Sequence, residues 1–111
     1  MTDEEKLEIL LEHLAKFRAW RYADFASAAR NGGGHLELVE GMATDGTPYA
    51  LNFDVFWDDK PDGDVRVCGY LYGNPQKPLF GFLAISSADV ADSFIMSPEG
   101  RFVGEDTTEG Q

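Results

Sequence analysis

The sequence has little cysteine, histidine or positive charge, and these shortages argue against disulfides, metal sites and anionic partners. Cys68 is the single cysteine, and His13 and His35 are the two histidines. One thiol allows no internal disulfide, so nothing supports an oxidising compartment and we expect a cytoplasmic protein. The two histidines fall in different predicted elements, and neither has the H-E-x-x-H spacing of a zinc-binding helix. We therefore expect no metal site and no cofactor.

Positive charge is scarce: the chain has 9 lysines and arginines but 20 acidic residues, and its formal net charge is −11. Such a chain repels phosphate backbones and anionic lipid surfaces, so we expect neither nucleic acid nor a membrane as a partner. The imbalance is uneven: residues 1–30 hold five basic and six acidic residues, and residues 31–111 hold four and fourteen. Solubility explains this charge most simply, and a basic protein partner is the functional alternative.

Long hydrophobic runs are also missing. No stretch approaches the roughly 20 apolar residues of a membrane-spanning helix. The first residues, MTDEEKLEILLEHLAKF, are acidic and interrupted by charges. A signal peptide has a basic start and an uninterrupted apolar stretch, so we expect none here.

The composition that is present predicts one folded domain. The chain has 111 residues, of which 43% are hydrophobic and 13% aromatic, enough to bury one core. We expect a single α+β domain over residues 1–104. Residues 105–111 contain no apolar side chain, and we expect them to form a disordered acidic tail.

The first thirty residues have the pattern of a helical segment. Thr2 and Glu5 form a capping-box motif, and apolar residues follow at spacings of three and four as far as Ala28. Three glycines from Gly32 end the pattern. An unbroken helix over residues 3–30 would measure roughly 42 Å at 1.5 Å per residue, so we expect a break near Trp20–Tyr22.

After the glycines the pattern changes to a period of two, which predicts strands. The predicted strands are His35–Glu40, Tyr49–Trp57, Val65–Gly73 and Leu79–Ser86, with a last short hairpin formed by Ser93–Ser97 and Arg101–Gly104. The sequence thus predicts a helical segment packed on one face of an antiparallel meander of four to six strands. This order of elements is similar to that of cystatin-like folds, an analogy of arrangement that carries no function.

Strand register predicts which residues form the core. If Trp57 lies opposite Val65, Phe53 lies opposite Gly69, and apolar residues gather on one face. Continuing the meander places Leu79–Ser86 on the other side of Val65–Gly73. The predicted core residues of the helix-facing side are Phe53, Val55, Val67, Leu71, Leu83 and Ile85. Glycines at 69, 73 and 81 leave hollows on this side for the helix to fill.

The same register gives the opposite sheet face a set of aromatic and polar side chains. The candidate partner- or ligand-binding residues on it are Asn52, Asp54, Tyr70, Tyr72, Phe80 and Phe82. Four aromatics together approach or exceed the roughly 300–600 Å² of an ordinary monomer's largest apolar patch, so we expect something to cover them. We expect the cover to be internal, from the second part of the helical region or the C-terminal hairpin, or to come from another molecule. Among other molecules we expect a second copy of the chain before a ligand or protein partner.

No residue cluster has the spacing that a known chemistry requires. Asp54 beside Asn52 offers a carboxylate near aromatic rings, but no catalytic partner can be identified. Cys68 lies opposite Asp54, which raises a thiol pKa, and is better explained as a small buried hydrophobe. The sequence favours a non-enzymatic protein-interaction module that binds itself or a basic partner, in the way that a small inhibitor or immunity-type protein works. The alternative is a small-ligand-binding or weakly enzymatic domain that uses the helix–sheet hollow.

The acidic turn Asp58–Asp64 yields a first testable prediction. It partly matches a calcium-binding loop, but Lys60 stands at the third position and Gly69 at the twelfth, where oxygen ligands are required. We expect calorimetric titration with calcium to show no binding in the sensor range. A dissociation constant of about 10⁻⁵ M or tighter would contradict the interpretation as a plain hairpin turn.

Overall fold

The residues that the structure describes form two helices followed by a four-stranded antiparallel sheet, the α+β arrangement that the sequence predicted. The structure is a computed structural model and describes residues 1–31, 33–73 and 88–105. The elements are α1 (Asp3–Phe17), α2 (Tyr22–Asn31), β1 (His35–Met42), β2 (Pro48–Trp57), β3 (Val65–Gly73) and β4 (Val90–Met96). Their order across the sheet is β1-β2-β3-β4. Neither described helix is long and apolar enough to span a membrane.

The helical segment begins with the predicted capping box and has the predicted break. The Glu5 N–H donates to the Thr2 hydroxyl over 3.1 Å, and the Thr2 N–H donates to Glu5 Oε1 over 2.9 Å. Helix α1 ends at Phe17 in tight turns, with the Trp20 N–H bound to the Phe17 carbonyl. The chain then changes direction before α2. Because of this break, Phe17 and Phe25 both reach the sheet.

The register between β2 and β3 agrees with the prediction. The confirmed Cα pairs are Leu51–Leu71, Phe53–Gly69, Val55–Val67 and Trp57–Val65. Side chains alternate between the faces of a sheet, so this register sets the apolar residues of both strands on one side.

The sequence predicted the wrong strand as the second neighbour of β3. Strand β4 occupies this edge, with the Cα pairs Leu71–Val90, Gly69–Asp92 and Val67–Phe94. The prediction that Leu79–Ser86 pairs with this edge of β3 is therefore wrong, because β4 takes the hydrogen bonds there. The side chains of Val90, Phe94 and Met96 lie on the same sheet face as the core residues of β2 and β3. Asp92, which falls between them, interrupts the alternation of apolar and polar residues in the sequence. Residues 79–86 lie outside the described part of the chain.

Both helices pack on the predicted face of the sheet. The Phe17 ring centroid lies 5.0 Å from that of Phe53, and Phe25 meets Phe94 edge-on at 6.1 Å. The predicted core residues that the structure describes are all fully buried; they are Phe53, Val55, Val67 and Leu71. Leu83 and Ile85 lie outside the described ranges.

The chain after β4 turns back toward the helices. A tight turn over residues 97–100 is closed by the Ser97 N–H, which donates to the Arg101 carbonyl over 2.8 Å, and Met96 bridges Phe102. The Phe102 ring meets Phe94 edge-on at 5.6 Å. Arg18 binds Glu105, a residue of the predicted tail, with two hydrogen bonds of 2.7 and 2.9 Å. Residues 106–111 lie outside the described part.

The glycine at the centre of β3 yields a stability prediction. A Cβ on Gly69 would lie 2.7 Å from Phe53 Cε1 and 2.9 Å from Leu10 Cδ1, and both side chains are fully buried. We expect Gly69→Ala to lower the free energy of unfolding by about 1–3 kcal/mol, as overpacked cores do. Urea unfolding measures the change.

Gly73→Ala is the matched control, because a Cβ there meets only the ends of the flexible Asp89 and Lys6 side chains. A Gly69→Ala protein as stable as Gly73→Ala would contradict the close approach of α1 to β3.

Candidate functional site: the tyrosine face

The sheet face turned away from the helices, which we call the tyrosine face, collects the predicted site. Its residues on β2 and β3 are Ala50, Asn52, Asp54, Phe56, Arg66, Cys68, Tyr70 and Tyr72. Asn52 lies opposite Tyr70, and Asp54 lies opposite Cys68, so four of the six predicted site residues are neighbours here. Phe80 and Phe82, the other two, lie outside the described residues.

The two internal covers expected for this face are placed elsewhere: α2 lies on the other side of the sheet, and the C-terminal hairpin belongs to the sheet through β4 and the residues that border it. Helix α2 contributes Phe25 to the core, and Phe102 of the C-terminal turn packs against Phe94 of the same core. The expectation that one of these two elements covers the face is therefore wrong, because one packs on the opposite side and the other is a strand and edge of the sheet. Within the described ranges, no helix lies over Tyr70 and Tyr72, and both tyrosines are partly buried.

A chain of three polar side chains crosses one end of the tyrosine face. His35 Nε2 lies 3.1 Å from Asn52 Oδ1, and Asn52 Nδ2 donates to Asp54 Oδ2 over 3.0 Å. Because Asn52 Oδ1 can only accept, His35 Nε2 carries the proton. A bulge between His35 and Glu37 places the imidazole opposite Asp54. Sequence reasoning missed His35 here, because the sequence pattern alone sets no register for β1 against β2.

Burial raises the pKa of several side chains on this face and thereby favours their protonated forms. Burial raises the pKa of Tyr70 to about 12. Burial also raises the pKa of the Cys68 thiol, and the nearby Asp54 adds to this. The pKa of Asp54 is itself raised, again chiefly by burial, although His35 and the Asn52 hydrogen bond oppose the shift. The face thus offers hydrogen bonds and aromatic surface, and its thiol is not activated.

Two arginines from outside the acidic turn Asp58–Asp64 form ion pairs with its carboxylates. Arg66 Nε donates to Asp58 Oδ1 over 2.8 Å, and Arg66 also reaches Ser93 on β4. Arg30 binds Asp62 over 3.0 Å. Two of the carboxylates that resemble calcium ligands are therefore held in ion pairs.

Exposed apolar side chains extend the tyrosine face onto β1. Leu38 lies opposite Asn52 and Met42 lies opposite Pro48, so both point to this side. Leu38 is 43% exposed, Met42 67% and Phe56 44%. Sequence reasoning missed Leu38 and Met42 because it ended the first strand at Glu40 and gave it no register. The signal was present in the alternation Leu38, Glu40, Met42.

The helix–sheet hollow has no room for a ligand at Gly69, because Phe53 and Leu10 fill it. Among the described residues, one groove outside the core holds about 310 Å³ and lies at the helix break, beside Trp20 and Arg21. In this groove the Arg18 guanidinium lies 4.7 and 4.8 Å from the ring centroids of Phe94 and Phe102, and Glu105 already binds it. A second groove lies over the acidic turn and contains no aromatic side chain.

Comparisons with known proteins give no functional information. No protein-family model matches the chain, and neither a curated protein nor a solved structure matches it. Function therefore has to be argued from the chemistry of the tyrosine face.

The raised pKa of Asp54 yields a prediction about stability and pH. Because the folded state holds this proton more tightly than the unfolded chain, stability falls as the pH rises from the unfolded value of about 3.9 through the folded value. Asp54→Asn removes this titration. As the pH rises from about 3 to about 7, we expect the urea midpoint of Asp54→Asn to increase relative to that of the wild type.

Asp59→Asn, which removes an exposed carboxylate of the nearby turn, controls for the loss of one negative charge. A pH profile of Asp54→Asn that follows the Asp59→Asn profile would show that Asp54 is not desolvated.

Proposed function

We propose that the protein is a non-enzymatic protein-interaction module, of the kind that small inhibitor or immunity-type proteins represent, and that it binds through the tyrosine face. One observation carries this proposal: two tyrosines and three exposed apolar residues share a sheet face that is turned away from both helices. An antiparallel sheet that faces water is normally polar on that side. Aromatic residues and methionine are enriched at protein interfaces.

Charge favours a basic protein as the partner. Residues 31–111 hold fourteen acidic against four basic residues, and the whole chain carries −11. A basic surface approaching this side is attracted, whereas a second copy must overcome repulsion. A homodimer through the same aromatic surface is the alternative assembly. The single thiol, Cys68, is free and buried, which fits a cytoplasmic setting.

The alternative function, a small-ligand-binding or weakly enzymatic domain, depends on the hollow between helix and sheet. Leu10 and Phe53 fill this hollow beside Gly69. No further observation favours that function.

A comparison of two surface variants tests the proposal. Tyr72→Ser removes an aromatic ring from the tyrosine face, and Leu7→Ser removes a 41% exposed apolar side chain from the outer side of α1. With each protein immobilised, we expect the wild type and Leu7→Ser to capture the same basic protein from extracts of the native source. We expect Tyr72→Ser to capture about tenfold less of this protein, or less still, because removal of one interface hot spot weakens binding by that much.

Sedimentation of the wild type at low and moderate salt separates the two assemblies. A homodimer held by a central aromatic contact should strengthen with salt, because salt screens the repulsion between two acidic chains. Binding to a basic partner should weaken with salt. Equal capture by all three proteins, together with a monomeric wild type at every concentration, would refute the interaction proposal.

A further inference from the structure

Strand β1 is an edge strand with one open side. It pairs with β2, and within the described ranges no backbone group pairs with its other side. The opposite edge of the sheet, β4, is covered in part, because the Val103 N–H donates to the Ile95 carbonyl over 2.8 Å. Strand β1 is eight residues long and contains neither proline nor lysine, the residues that commonly protect an edge. Among the residues that the structure describes, none takes up the outer side of β1, and this side can accept another strand.

The hairpin that follows β1 shows which of its backbone groups point outward. The Ala43 N–H donates to the Thr47 carbonyl over 2.8 Å, so these two residues form a hydrogen-bonded pair. In an antiparallel ladder, bonded and non-bonded pairs alternate, which makes Met42–Pro48 a non-bonded pair. Proline fits this position because it has no N–H to lose. Counting along the register, the residues whose N–H and C=O point away from β2 are Leu38, Glu40 and Met42.

The side chains of these same three residues lie on the tyrosine face, because they stand opposite Asn52, Ala50 and Pro48. A strand added to β1 would therefore make backbone hydrogen bonds at the edge and extend the exposed apolar surface of Leu38 and Met42. Glu40 carries negative charge on this face, and Glu37 carries it on the other face of the strand.

We propose that β1 binds an extended, basic segment of a partner protein as a fifth strand of the sheet. This inference rests on the proposed function and specifies how the partner is held. Main-chain hydrogen bonds to the edge supply affinity, and alternate side chains supply specificity. Lysine or arginine opposite Glu37 and Glu40 gives the favourable cross-strand pairing that opposite charges make.

A second copy of the chain fits this edge less well than a basic segment. The antiparallel self-pairing that matches all three outward residues places Glu40 opposite Glu40 of the second copy. Like charges directly opposite each other destabilise a sheet, and each chain brings a net charge of −11. The acidic residues of β1 thus discourage self-association while leaving the edge open to a basic strand.

A short peptide designed from the register tests the proposal. The probe is the blocked peptide Val-Thr-Lys-Val-Val-Lys, whose residues stand in order opposite Met42, Gly41, Glu40, Val39, Leu38 and Glu37. Amide hydrogen exchange of the wild-type protein, followed by NMR, is the measurement. Without peptide, we expect the outward amides of Leu38, Glu40 and Met42 to exchange faster than those of Val39 and Gly41. With about 1 mM peptide, we expect the three outward amides to slow by about tenfold or more.

Two control peptides separate edge pairing from other contacts. Glutamates in place of both lysines should abolish the protection, because like charges then face each other. N-methylation of the probe residues opposite Leu38, Glu40 and Met42 keeps the charge and removes the donors, and it should also abolish the protection. Equal protection by the N-methylated peptide, or no protection by the original peptide, would overturn the proposal.

Matched variants of Glu40 give a second readout. Glu40→Pro removes one outward N–H and none that points toward β2, whereas Glu40→Thr removes the charge and keeps the donor. After circular dichroism shows that both are folded, we expect Glu40→Thr to weaken the protection at Leu38 and Met42 and Glu40→Pro to abolish it. Protection that survives Glu40→Pro would overturn the edge proposal.

The edge proposal and the proposed function fail in distinguishable ways. Loss of partner capture by Tyr72→Ser, combined with unprotected β1 amides, would refute strand addition and leave the tyrosine face as the binding surface. Protection of the β1 amides by the peptide, combined with equal partner capture by wild type and Tyr72→Ser, would support the edge and refute binding through the tyrosine face.

Discussion

The close approach of α1 to β3 at Gly69 is the contact on which the rest of this structure depends. Leu10 and the Phe53 ring occupy the space that a side chain at position 69 would need. Because this space is filled, helix and sheet form one continuous core, and the break between α1 and α2 lets Phe17 and Phe25 join it. A bulkier residue at this position would push the helix layer away from the sheet.

Because both helices pack on one side of the sheet, the two faces of the sheet differ in burial and in chemistry. The helix-facing side holds the hydrophobic core, and its central residues Phe53, Val55 and Val67 are fully buried. The other side holds Tyr70 and Tyr72 beside a hydrogen-bonded chain from His35 to Asp54. Burial raises the pKa of both tyrosine hydroxyls, so this side presents hydrogen-bond donors and aromatic rings. Such chemistry suits recognition better than catalysis, which is why the proposed function is binding.

The two edges of the sheet are also unequal. The C-terminal turn covers part of β4, whereas β1 leaves the backbone of Leu38, Glu40 and Met42 pointing outward. Since these residues also carry their side chains on the tyrosine face, the open edge and the aromatic face form one continuous surface. Glu40 on this surface and Glu37 on the opposite face of the same strand give the edge negative charge. This charge is the basis for proposing a basic partner, and charged side chains on an edge strand also discourage aggregation.

Local patterns in the sequence determined the capping box at Thr2, the helix break, and the pairing of β2 with β3, because each depends on neighbouring residues or on one short turn. The same register identified Asn52, Asp54, Tyr70 and Tyr72 as neighbours. Only the tertiary structure decided which strand takes the second edge of β3, because the competing strands differ in long-range packing and Asp92 hides the alternation of β4. It also decided that both helices share one face, and it brought His35, Leu38 and Met42 to the other. These placements depend on contacts between elements far apart in the chain, which no local pattern encodes.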